Sequence, residues 1–120
     1  MAEFELKKRA FQFTTSVIKT FAKVDMGYEL KFLKSQLYRS VSSIGANLVE
    51  GGAGSSRKML IQYYRIALRS SRETGYWLQL ISEIFPEIDK QTLDSHLSEC
   101  ESISRILGKT IVTLNNQSSK

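Results

Sequence analysis

The sequence contains a single proline, Pro86, and a single cysteine, Cys100. One proline in 120 residues leaves long stretches free to run as helix, whereas a strand-rich chain needs frequent breakers. One cysteine excludes an intrachain disulfide and points to the cytoplasm, where thiols stay reduced. The lone histidine, His96, excludes a site built on a histidine pair. Long apolar runs are also missing. The longest uncharged stretches, such as residues 40–49, fall far short of the roughly 20 residues that span a bilayer, so no membrane partner is expected. No apolar run followed by a small-residue cleavage site opens the chain, so a secretory leader is not expected.

What is present is an ordinary globular composition, 42% hydrophobic and 24% charged. The length suits one domain over residues 1–120, with enough chain for one hydrophobic core. Four helical segments are legible, at about residues 4–24, 29–50, 55–85 and 89–114. In the first, Phe4, Leu6, Ala10, Phe11, Phe13, Val17, Ile18, Phe21 and Val24 fill about half of the helical wheel. That arc is wider than one bundle seam needs, so part of it is expected to face another subunit. A turn is placed at residues 25–27. The second helix carries Leu30, Leu33, Leu37, Val41, Ile44 and Leu48 at spacings of three and four. Gly51, Gly52 and Gly54 then stop it, as glycine accepts a left-handed cap.

Ser55 or Ser56 is the expected N-cap of the third helix, whose core face holds Leu60, Tyr64, Ala67, Ser71 and Leu78. Its length predicts a kink near Gly75 or a projecting end. Asp89 is placed to cap the fourth helix. Leu93, Leu97, Cys100, Ser104, Leu107, Ile111 and Leu114 recur there at a heptad rhythm. The tail from Asn115 is expected to fray. Together these segments predict an all-α, antiparallel, up-and-down four-helix bundle.

Two polar arrangements stand apart from the core pattern. On helix two, Gln36, Arg39, Ser40, Ser43, Asn47 and Glu50 share about a third of the wheel. One reading buries them against neighbouring helices or a neighbouring subunit, with Arg39 and Glu50 paired within or between chains; the other makes them a ligand site. On helix three, Lys58, Arg65, Arg69 and Arg72 fall within about 60° of one another, with Arg57 close by. Such a row suits a run of phosphates. The competing reading pairs these cations with Glu99 or Glu101 of the last helix, or leaves them as a solvated face, and Glu83 on the same sector of the helix favours it. Tyr63, Tyr64 and Tyr76 would be available for stacking, although Tyr64 lies on the core face. Charge is also uneven along the chain, +8 over residues 1–72 and −3 over residues 73–120. That split suits either a polyanion-binding surface or mutual attraction between copies.

The segment from Gln36 through Arg39, Ser43, Ile44, Gly45 and Asn47 to Glu50-Gly51 resembles the Q-L-R-R-A-x-x-S-I-P-x-N-I-A-E-G stretch of the 23S ribosomal RNA intervening-sequence protein family. Residues 61–73, beginning Ile61-Gln62-Tyr63-Tyr64 and including Ile66-Ala67, Ser70-Ser71 and Glu73, are similar to that family's F-I-x-F-L-x-I-A-x-G-S-x-x-E. The likeness is good over residues 36–73. It departs where Gly45 replaces the family's proline and Lys7 its helix-one tryptophan. The resemblance implies a bacterial four-helix bundle assembled as a ring-like homopentamer. A related accessory protein of diversity-generating retroelements binds nucleic acid and a reverse transcriptase.

Nothing in the residues spells an enzyme. His96 and Cys100 stand i, i+4 but lack a third metal ligand, and His96 reads as a surface residue beside the seam. The glycine-rich loop lacks the lysine–hydroxyl ending of a phosphate-binding loop and follows a helix. No cofactor is expected. The expected function is non-enzymatic nucleic-acid binding, RNA before DNA, by an oligomer. The alternative is a scaffold or accessory subunit that docks a partner enzyme.

Overall fold

Helix α1 (Glu3–Ala22) is followed by α2 (Lys31–Gly51), α3 (Arg57–Ile84) and α4 (Lys90–Ser118). The computed structural model describes residues 3–53 and 56–118, and no strand occurs among them. α1 packs on α2, α2 on α3, α3 on α4 and α4 back on α1; the diagonal pairs do not meet. Cross-helix pairs run in opposite directions along each seam. Ser43 meets Ser70 while Arg39 meets Glu73, and Ser71 meets Ser104 while Arg57 meets Gln117. The four helices are therefore antiparallel to their neighbours, in a bundle of 52 × 22 × 19 Å.

The apolar stripes read from the sequence form the core. Leu6, Ala10, Phe13, Val17 and Phe21 of α1 meet Leu33, Leu37, Val41, Ile44 and Leu48 of α2. α3 adds Tyr64, Ala67, Leu78 and Ile81, and α4 adds Leu93, Ile103 and Leu107. Ile103 is fully buried although the heptad reading passed over it in favour of half-buried Ser104. The wide arc of α1 is only partly core. Phe4 and Phe11 stand 74% and 69% exposed, because the bundle seam takes only the a- and d-like positions.

Helix ends differ from expectation in instructive ways. Ser56 is the N-cap of α3, its hydroxyl accepting from the Met59 N–H at 3.3 Å; Ser55, the alternative, lies outside the described residues. Asp89 caps α4 through the Thr92 N–H at 3.0 Å, as the sequence predicts. Gly27 takes a left-handed φ of 80° and donates its N–H to the Asp25 carboxylate at 2.9 Å, which makes the α1–α2 turn. The end of α2 is not a left-handed cap. Gly52 has φ −82°, and Gly54 falls outside the described residues. Gly51 is needed for close approach: a Cβ there would sit 3.0 Å from the Tyr63 Cβ of α3.

α3 runs through Gly75 without a break, and at 28 residues it is matched by α4 at 29. The expected projecting end is absent because α4 does not stop at Leu114. It continues as helix to Ser118, where Gln117 accepts a 2.6 Å hydrogen bond from Arg57.

The thinnest seam, α1 against α4, is held by polar contacts. Arg9 clamps Glu99 with two bonds of 2.7 and 2.8 Å and also donates to Ser102 at 2.8 Å. The hydrogen bond to Glu99 holds the Arg9 guanidinium above its usual range. His96 is not a surface residue: it is 6% exposed, lies edge-on to Phe13, and its Nε2 is 2.9 Å from the Thr20 hydroxyl. Burial lowers the His96 pKa below its ordinary 6.5. The folded chain thus prefers the neutral ring, and the unfolded chain binds the proton first. Stability is expected to be full above about pH 6.5 and to fall as the pH drops below it. Urea midpoints at neutral and mildly acidic pH, compared between wild type and His96→Gln, check this: the substitution should flatten the pH dependence.

Candidate nucleic-acid interface

The polar stripe of α2 divides in two. Ser40, Ser43 and Asn47 turn towards α3. The Ser40 hydroxyl, fully buried, accepts from Thr74 at 3.0 Å and donates to the Leu37 carbonyl at 3.1 Å. Ser70 donates to the Ser43 hydroxyl at 2.9 Å, and Asn47 donates to the same oxygen at 2.9 Å. A parallel set joins α3 to α4, with Ser71 and Ser104 2.7 Å apart and the Cys100 thiol donating to the Ser71 carbonyl at 3.0 Å. Small side chains let the helices approach closely and leave hydroxyls that must find partners there. They do: among the described residues no buried side-chain nitrogen or oxygen lacks one.

Within the chain Arg39 does not pair with Glu50. It bonds Gln36 on its own helix, at 2.8 Å, and Glu73 of α3, whose carboxylate also accepts the Trp77 indole N–H at 2.9 Å. Glu50 is exposed. The mismatch has a geometric cause: three-residue spacing brings Gln36 beside Arg39, whereas Glu50 lies eleven positions, about three turns, farther along α2. The stripe is thus largely a fastening between helices.

The basic row of α3 is placed differently. Lys58, Arg65, Arg69 and Arg72 are all exposed on the face of α3 turned from the core. The acids that might have neutralised them are engaged elsewhere. Glu99 holds Arg9, and Glu101 pairs with Arg105 on its own helix at 3.3 Å. Among the described residues none of those four cations forms an ion pair or side-chain hydrogen bond; Arg57, beyond them, is bound to Gln117. Of the three tyrosines considered for stacking, Tyr64 is core and Tyr63 is half-buried against α2; Tyr76 is 57% exposed.

Two residues missed from the sequence extend the row. Lys109 of α4, and Arg105 in its pair with Glu101, line together with Arg72 a groove of about 600 Å³ that Gly108 and Val112 also border. Their i, i+4 spacing is visible in the sequence, but only the packing of α4 on α3 shows that they lie beside Arg72.

A model of the 23S rRNA-intervening sequence proteins matches residues 2–109. The chain belongs to that family. A crystal structure of a protein of unknown function from the S23 ribosomal protein family of Bacteroides thetaiotaomicron VPI-5482 is similar in fold. Its TM-score is 0.77 at 27% identity, over 88% of this chain and 97% of the other. No curated protein matches the chain. The family's two departures here are accommodated. A Cβ on Gly45 would meet only the Ala10 Cβ at 3.8 Å, so a larger residue is tolerable there. Lys7, at the family's tryptophan position, is half-buried and pairs with Glu3 at 3.3 Å.

Nothing in the described residues points to catalysis. No three of His, Cys, Asp and Glu converge as a metal site. Burial pushes the Cys100 thiol up, away from the thiolate a nucleophile needs. No described helix is long and apolar enough to cross a membrane.

Proposed function

We propose that this protein is a non-enzymatic, oligomeric nucleic-acid-binding bundle of the cytoplasm, with RNA as its partner. One observation carries the reading: Lys58, Arg65, Arg69 and Arg72 are exposed in a row on α3 and, among the described residues, form no ion pair with a carboxylate. Cations left without internal partners hold their counterions loosely, and a phosphate backbone displaces them with a gain in entropy. A non-enzymatic role accords with a polar interior whose hydroxyls are spent on one another. A family named for an intervening sequence of ribosomal RNA accords with RNA.

Fluorescence anisotropy of a structured RNA titrated at several salt concentrations tests the reading. Three to five phosphate contacts predict a log–log slope of about −2 to −3.5. Absence of binding at low salt, or affinity indifferent to salt, would remove it.

Oligomerisation is proposed from the outer face of α1 and α2. Phe4, Phe11 and Val49 stand exposed there beside a groove of about 300 Å³. Aromatic side chains so exposed in one patch mark a surface meant to be covered. A ring of five, as the family resemblance implies, would carry about five times the single-chain charge of +5. Sedimentation is expected to show an assembly, and Phe11→Asp to shift it towards the single chain of 13.7 kDa. A wild-type protein already at that mass would refute the assembly.

A further inference from the structure

We propose that the cleft between α3 and α4 beside Arg72 receives an unpaired nucleobase, so that the preferred ligand is RNA with single-stranded residues rather than continuous duplex. The inference rests on the nucleic-acid reading and sharpens it. The cleft, about 410 Å³, lies where the basic row ends, and Arg72 belongs to both. Buried or half-buried Ser71, Gly75, Leu97, Cys100 and Ser104 line its base, and exposed Arg72, Tyr76, Gln79 and Glu101 its rim. Gly75 lines it without a side chain: a Cβ there would lie 3.6 Å from the Cys100 sulfur, an ordinary van der Waals contact, so a side chain is sterically tolerated at this position.

The wall chemistry selects a base over a phosphate. A phosphate wants donors alone, and the Glu101 carboxylate would repel it. A base edge carries donors and acceptors together, and the cleft offers a guanidinium, an amide and the Glu101 carboxylate, one oxygen of which accepts from Arg105 while the other is left for a ligand. Leu97 and the Cys100 sulfur at the base and the exposed Tyr76 ring offer apolar surface to a planar aromatic ligand, as base-stacking sites do. Phosphates would then follow Arg72, Arg69, Arg65 and Lys58 along α3 while one base turns inward. Duplex RNA keeps its bases stacked and paired, so it can use the row but not the cleft.

The test compares a labelled RNA strand of about 16 nucleotides with the same strand annealed to its complement, by anisotropy at fixed salt. Wild type is expected to favour the single strand. Gly75→Leu fills the cleft while keeping every charge, and Tyr76→Ala removes the exposed wall. Both should weaken single-strand binding about 5- to 150-fold and leave duplex binding as it was. Unchanged thermal melts confirm folding; leucine is also a better helix former than glycine. Equal affinity for both RNAs, or a single-strand preference that survives both substitutions, overturns the cleft and leaves the basic row standing. No binding of either RNA by the wild type overturns the nucleic-acid reading itself.

Discussion

Replacing Arg65, Arg69 and Arg72 together with glutamine is expected to lower RNA affinity about 100-fold or more at low salt. Each lost phosphate contact removes one released counterion, so the log–log salt slope should flatten by about 2. The loss should therefore shrink as salt is raised. A structural defect would not behave that way, since it would weaken binding at every salt concentration. Stability should move by no more than about 0.5 kcal/mol, because the three side chains are exposed and have no ion-pair partners among the described residues. Anisotropy titrations at several salt concentrations, paired with thermal melts, check both halves. An unchanged slope would show that the phosphates, if bound, lie elsewhere on the molecule.

Phe21→Ala is expected to cost about 3–5 kcal/mol of stability, by far the larger structural effect. Phe21 is fully buried near the end of α1. Truncating it removes apolar burial and leaves a cavity in the core. Against a typical total of about 5–15 kcal/mol that loss is a large share. Phe11→Ala, on the same helix, should cost a single chain less than about 0.5 kcal/mol, for its ring is 69% exposed. Urea unfolding of both variants reads the contrast. It decides which half of the α1 apolar arc is core and which is left for another chain.

How far the site was legible in the sequence can be traced residue by residue. The row on α3 was, because spacings of three, four and seven place side chains on one face of any helix. That these cations are unneutralised was not, for it depends on where Glu99 and Glu101 turn. Glu99 is claimed by Arg9, ninety positions away, and no local pattern announces that pair. Arg39 shows the same limit. The acid that meets it is Glu73, brought across by the antiparallel register of α2 and α3. His96 was misplaced because helix α4 buries one more flank than a two-position heptad stripe describes, and α1 is what covers it.

The sequence by itself determined four amphipathic helices, their core stripes, a serine cap at 55 or 56, the cap at Asp89, and the one-sided basic row, since each is local periodicity or local hydrogen bonding. Only the tertiary structure decided which polar residues fasten helices and which stay free, and that Arg105 and Lys109 join Arg72 along the 600 Å³ groove. The physical reason is that a partner's identity is set by helix register and crossing. Those arise when the whole core packs at once, and no short window of residues contains them.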